Sequence, residues 1–172
     1  MASQLYSKIE FAVKQQRLTQ AQTYLQEMDT DFANTPYQDQ GHLFVAKLFM
    51  DSVDYENAIL QLEFLIDNST EESLKHIARI RIARIKLQQN LYDEALQTLE
   101  TESMGSFEAK YEEIKGDIFA KKGEYPEAQA AYLKALDLLL PGQFDYEYIQ
   151  MKFKDIQSDD LKDTKDSKDG NA

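Results

Sequence analysis

Residues 116–135 read Gly116-Asp117-Ile118-Phe119-Ala120-Lys121-Lys122-Gly123-Glu124-Tyr125-Pro126-Glu127-Ala128-Gln129-Ala130-Ala131-Tyr132-Leu133-Lys134-Ala135. Small and large residues alternate here at helical spacing. Gly116 and Ala128 each allow a neighbouring backbone to come close, while Phe119, Tyr125 and Tyr132 supply bulk to fill the flanks. Gly123 interrupts the pattern, and Pro126 falls where the first turn of a new helix tolerates proline. The stretch therefore predicts two antiparallel helices joined by a tight turn.

The same signature recurs toward the N-terminus. Asp54-Tyr55-Glu56-Asn57-Ala58 and Leu91-Tyr92-Asp93-Glu94-Ala95 each place an alanine after an aromatic and two polar residues, and Leu18-Thr19-Gln20-Ala21 is a fainter copy. The four alanines follow one another at 37, 37 and 33 residues. Four residues after each comes a large residue, Leu25, Leu62, Leu99 or Tyr132; twelve before the last three comes a small one, Ala46, Ala83 or Gly116. A period of this length in helical hairpins resembles the tetratricopeptide repeat, with Ala135 and Pro141 also at or near the motif's positions. The expected fold is all-α: a tetratricopeptide-like solenoid of about four helical hairpins plus a C-terminal capping helix. Helices are expected at roughly 3–16, 19–33, 37–51, 54–67, 70–89, 92–102, 106–122 and 125–139, followed by the capping helix at 144–156. That last helix carries an apolar stripe of Tyr146, Ile149, Phe153 and Ile156. Residues 1–156 read as the tetratricopeptide-like domain. Residues 157–172 hold one large apolar residue among charges and read as a disordered charged tail.

Composition narrows the function. The 172 residues include 31 acidic and 19 basic ones, a net charge of −12. Binding nucleic acid draws on Lys and Arg meeting phosphate, so no nucleic-acid partner is expected. An anionic lipid surface is disfavoured in the same way. Without cysteine there is no disulfide, thiol nucleophile or Cys-ligated metal. No stretch approaches the length of a membrane span, and no apolar segment of signal-peptide type follows Met1.

Catalytic, cofactor and metal motifs are not found. His42 and His76 have no second ligand at i+3 or i+4 and read as surface or inter-helix residues. The adjacent pairs Glu71-Glu72 and Glu112-Glu113 point about 100° apart on a helix and form no two-carboxylate site. The helix at 70–89 carries Arg79, Arg81, Arg84 and Lys86 within eight residues. In one reading these pair with acids of flanking hairpins, for example Glu63 or Asp117; in the other, one or two project into a groove and hold a partner. In an array of hairpins the first helix of each lines the inner face. The repeat register then places Tyr6, Glu10 and Val13; Leu43, Lys47 and Met50; Ile80, Arg84 and Leu87; and Glu113, Asp117 and Ala120 along it. Of these, Leu43, Lys47, Met50, Ile80, Arg84, Leu87, Glu113 and Asp117 are the candidate protein-binding residues. Their mix of apolar and charged groups suits a peptide segment.

Three further strings, taken together, carry a narrower resemblance. They are Leu74-Lys75 followed by Arg81-Ile82-Ala83-Arg84-Ile85, Lys115-Gly116-Asp117 with Lys122-Gly123-Glu124, and Gln150-Met151-Lys152-Phe153-Lys154-Asp155-Ile156. In this order, over residues 20–156, they resemble the periplasmic domain of the YfgM family, the ancillary SecYEG translocon subunit. The resemblance implies a non-enzymatic protein-interaction module with no cofactor. It implies placement at the periplasmic face of the bacterial inner membrane, through an N-terminal anchor that this chain lacks. Its implied partners are the SecYEG translocon, a PpiD-like membrane-anchored chaperone and exported client proteins. The alternative is a generic tetratricopeptide adaptor in another envelope assembly complex.

Overall fold

A computed structural model describes residues 1–169, with side chains through residue 158. All regular elements among the described residues are helices, and no strand is present among them. They fall into two compact units, Met1–Ile85 and the residues from Lys86 onward.

In the first unit, α1 (Ala2–Lys14) pairs with α2 (Leu18–Asp31), and α3 (Pro36–Asp51) pairs with α4 (Tyr55–Asn68). Helix α3 also packs on both α1 and α2. One core runs through the unit from Ile9, Leu25 and Met28 to Leu48, Leu62 and Leu65, and on to Ala78 and Ile82 of α5 (Glu72–Gln88). The helix starts follow from local chemistry. Thr35 caps α3 by accepting from the Gln38 N–H, with Pro36 at the first helical position. Asp54 caps α4 through the Asn57 N–H at 3.2 Å. His42 is an inter-helix residue: its Nε2 lies 3.0 Å from Asp29 of α2, its Nδ1 lies 2.9 Å from Gln61 of α4, and its ring stacks on Phe64.

In the second unit, the end of α5 leads into α6 (Tyr92–Thr98), a short 3-10 turn (Gly105–Phe107), α7 (Glu108–Lys122), α8 (Tyr125–Asp137) and α9 (Phe144–Asp169). Helix α7 packs on α8, and α8 on α9. Helix α6 ends at Thr98, earlier than the expected 102. The following Thr101, Ser103 and Gly105 favour turn geometry over helix. Helix α9 runs past Ile156, where the sequence reading ended it. Once a helix is nucleated by packing, propagation costs little, and no glycine or proline occurs between Gly142 and Gly170.

The repeat register holds at the level of packing. Ala21, Ala58, Ala95 and Ala128 are fully buried, and Leu25, Leu62, Leu99 and Tyr132 are buried after them. At Gly116 a Cβ would lie 2.5 Å from the Tyr132 ring, so only glycine admits this contact. In the first hairpin the position equivalent to Gly116 is Ile9; the close approach there is shared with Gly41, whose Cβ would meet Leu25 at 2.9 Å.

The four turns are also copies of one another. Gln16, Val53, Asn90 and Gly123 each stand five residues before the buried alanine of their hairpin and adopt left-handed φ values of 57°, 60°, 61° and 79°. In each turn the next residue's N–H reaches back 2.9 Å to a carbonyl five residues earlier, as Arg17 to Ala12, Asp54 to Phe49, Leu91 to Lys86 and Glu124 to Phe119. This is the Schellman closure, repeated four times. Three of the four turns use a side-chain-bearing residue, and Val53 is β-branched, the type that fits this conformation least.

Two outcomes follow for stability in chemical denaturation. Gly116→Ala destabilises by about 1–3 kcal/mol through overpacking against Tyr132; an unchanged midpoint would show that the two helices do not approach this closely. Val53→Gly stabilises by about 0.5–1 kcal/mol, whereas Gly123→Val, placed where a side chain meets open space, costs about 1–2 kcal/mol from conformation alone. Equal and small effects of both would contradict the turn assignment.

Candidate functional site

The second unit holds a cleft of about 470 Å³. Its walls come from the end of α5 (Leu87), from α7 (Asp117, Ala120, Lys121), from α8 (Tyr125, Tyr132) and from α9 (Tyr148, Lys152, Ile156). Helical spacing explains the convergence. Asp117, Ala120 and Lys121 stand at i, i+3 and i+4, and Tyr148, Lys152 and Ile156 at i, i+4 and i+8, so each set lies along one side of its helix.

The cleft floor is an ordered charge network. Lys152 reaches both carboxylate oxygens of Asp117 at 2.8 Å and Glu113 at 2.8 Å, and its ammonium sits 4.5 Å from the centre of the Tyr148 ring. The Tyr132 hydroxyl donates to Asp117 at 2.8 Å. Lys110 holds the other oxygen of Glu113. The adjacent Glu112, pointing about 100° away around the helix, pairs with Lys115 and Lys134. Glu113 is almost fully buried, so these partners are required. Burial pushes its carboxyl up, but Lys110 and Lys152 pull it further down, to a net value below the ordinary one. Burial alone would lower Lys152; Asp117 and Glu113 outweigh this and raise it, so it stays charged. Burial and then the Asp117 carboxylate push the Tyr132 phenol well above its usual range, which keeps it a donor. With its carboxylates spent internally, the cleft presents tyrosine faces, Leu87, Ala120 and Ile156. At its rim stands Lys121, exposed and without an ion pair among the described residues.

The structure treats the candidate residues unequally. Leu87 and Asp117 meet in the cleft, together with Ala120, and Glu113 joins them through Lys152. In the first unit Leu43 is buried in the core, Met50 packs half-buried against it, and Ile80 is buried. Lys47 is exposed and ion-paired to Asp51 at 2.7 Å, and Arg84 is exposed. Asp117, offered as a partner for the arginines of α5, is held by Lys152 of α9, and Arg79, Arg81 and Arg84 form no ion pair among the described residues. Lys86 instead turns to Thr98 and Glu94. Sequence reading missed Lys152 and Tyr148, which stand at the edge of the apolar stripe on α9. Their i, i+4 spacing was the available signal. Among the described residues no three His, Asp or Glu side chains gather as a metal site, and no helix is long and apolar enough to cross a membrane.

Comparison with known proteins matches this architecture. A family model described as a tetratricopeptide repeat-like domain covers residues 1–158. The chain is 36% identical to the ancillary SecYEG translocon subunit of Buchnera aphidicola subsp. Schizaphis graminum, over 67% of this chain and 59% of that protein. It is 29% identical to the protein of that name from Neisseria gonorrhoeae (69% and 56% covered) and 30% identical to the one from Escherichia coli K12 (52% and 44% covered). The matches thus span between 44% and 59% of the length of these curated relatives. Among solved structures, MamA residues 41-end from Desulfovibrio magneticus RS-1 superposes with a TM-score of 0.63 at 16% identity, covering 99% of this chain and 97% of that one. That likeness establishes the fold, an all-α solenoid of the tetratricopeptide class.

Lys152→Met removes the cation from two carboxylates, one of them buried, and is expected to cost about 3 kcal/mol at pH 7 in denaturant unfolding. The depressed folded-state value of Glu113 contributes stability above the ordinary glutamate value of about 4.3 and loses it as pH falls through the folded-state value. The penalty of Lys152→Met therefore narrows as pH drops below about 4.3. A penalty independent of pH would place the loss in packing and not in charge.

Proposed function

The chain belongs to the tetratricopeptide repeat-like family, with ancillary SecYEG translocon subunits among its relatives, and from that premise we propose that it is a protein-interaction module of a Sec-associated subunit. Its working surface is the cleft of the second unit, and its ligand is an extended, apolar stretch of polypeptide. The observation that carries this reading is the cleft itself. Its volume suits one or two large side chains. Tyrosines offer wide contact with little conformational entropy to lose, and their hydroxyls can meet a peptide backbone. A free cation at the rim, Lys121, attracts an acidic residue flanking the apolar segment. No group in the cleft is arranged for bond-making chemistry: Asp117 and Glu113 are paired with Lys152 and Lys110, and Tyr132 is held protonated.

The names of the relatives support the Sec association. In this proposal the module stands at the periplasmic face of the inner membrane, carried there by an N-terminal anchor. A PpiD-like membrane-anchored chaperone and newly exported chains are its partners. An emerging chain exposes apolar segments before it folds, and a shallow cleft binds one side chain at a time and releases it readily, since small contacts give weak affinity.

The test is a titration of a fluorescently labelled, unstructured peptide bearing one Phe or Leu next to a Glu, followed by anisotropy. Wild type is expected to bind weakly, near a Kd of about 10–100 μM. Ala120→Trp, checked for an unchanged melting temperature, should lower affinity at least tenfold by filling the cleft, and Lys121→Glu should weaken binding of the acidic peptide only. Undiminished binding by Ala120→Trp would move the ligand elsewhere on the molecule.

A further inference from the structure

The outer face of α9 does not match its place in the chain. The terminal helix of a hairpin array has no following hairpin to cover it, so its outer face is ordinarily polar. Here Phe144, Tyr148 and Met151 fall at i, i+4 and i+7 and are 83%, 40% and 51% exposed. They lie on the opposite side of the helix from Ile149, Phe153 and Ile156, which pack inward. The Phe144 and Tyr148 rings are stacked, parallel within 4° with centroids 6.3 Å apart. Leu140, just before the helix, is 69% exposed. A cluster of this kind is a contact surface.

We infer that this face pairs with the same face of a second copy of the chain, antiparallel, about a two-fold axis near Met151. The argument is charge. Glu147 and Lys154 stand seven residues apart, two turns along one flank of the apolar stripe. Neither forms an ion pair among the described residues; Lys154 reaches only the Gln150 amide oxygen, at 3.4 Å. In an antiparallel two-fold pair, like flanks face each other with direction reversed. Glu147 of one copy then meets Lys154 of the other, and the pair forms twice. A parallel two-fold pairing sets each flank against the opposite flank of the partner, where Glu147 and Lys154 do not meet. The stretch 144–158 carries three acids and two lysines, so it is nearly neutral although the chain is at −12. Asp145 and Glu147 on the flanks, and Asp155 on the line of the stripe one turn after Met151, exclude an anionic membrane as the occupant. Tyr148 belongs both to the stripe and to the cleft wall, so pairing also fixes one side of the cleft mouth.

The test is sedimentation equilibrium of the full chain up to about 1 mM, the range in which a weak dimer registers. Wild type is expected to show a monomer–dimer equilibrium. Met151→Asp, with helical content and melting temperature unchanged, should be monomeric. Glu147→Lys and Lys154→Glu, both exposed and harmless to folding, should each weaken the dimer about tenfold, and the double reversal should restore it. A wild-type chain that stays monomeric overturns the inference, and so does a dimer that survives Met151→Asp. Single reversals that the double does not rescue overturn the antiparallel arrangement. If a synthetic Leu/Lys amphipathic helix binds the face of a strictly monomeric chain, the surface serves a different partner and the self-pairing is refuted.

Discussion

The structure depends on how closely two helices can approach within one hairpin. In each repeat the approach is made at a residue with almost no side chain. Ala21, Ala58, Ala95 and Ala128 have no exposed surface, and Gly116 leaves no room for even a methyl group against Tyr132. Tight approach forces the connecting turn to be short. The left-handed residue and its 2.9 Å Schellman hydrogen bond provide that turn in all four hairpins. The large residue four positions after the alanine then covers the seam. Local conformation, turn chemistry and core packing thus agree on one arrangement, the consistency that lets a sequence specify a single fold. Val53 departs from it, since its turn takes a backbone conformation that its side chain resists.

In the second unit the same geometry supports a polar interior. Tyr132 fills the space over Gly116, and its hydroxyl is thereby delivered to Asp117. Asp117 and Glu113, one turn apart on α7, together call for a cation, and Lys152 of α9 answers from the far end of the chain. The capping helix is therefore located by charge as well as by the apolar contacts of Ile149, Phe153 and Ile156. A buried ion network contributes little net stability compared with an apolar core, but it penalises any arrangement that leaves one charge unpaired. For α9 this fixes the register on α7 and α8, and hence the shape of the cleft. The tyrosines that remain at the cleft surface are consequently held on rigid helices instead of loops.

Much of this was legible from residue spacing. The alanines and their large partners were identifiable because close packing permits few residue types and the repeat fixes their separation. The inward stripe of α9 followed from its 3- and 4-residue spacing. Other features were hidden for physical reasons. The partner of Asp117 is 35 residues away, and nothing in local sequence distinguishes Lys152 from the arginines of α5 that seemed available to it. The early end of α6 falls where Thr101, Ser103 and Gly105 follow, residues whose preference for turns apolar periodicity does not register. Leu43 and Ile80 were assigned to a lining face by register, and their burial reflects how much neighbouring side chains cover them. The repeat predicts the direction in which a residue points better than what will lie over it.

The central claim is that the cleft between α7, α8 and α9 is where a Sec-associated module meets polypeptide. Site-specific photocrosslinking in living cells tests it most directly. A benzophenone amino acid would be placed at Lys121 on the cleft rim, and at Leu60, an exposed position of α4 in the other unit, as the control. The account predicts crosslinks from position 121 to translocon subunits, a membrane-anchored chaperone or exporting chains, rising when export is stalled, and few from position 60. Equal crosslinking from both positions, or none from 121 while export is active, would contradict it.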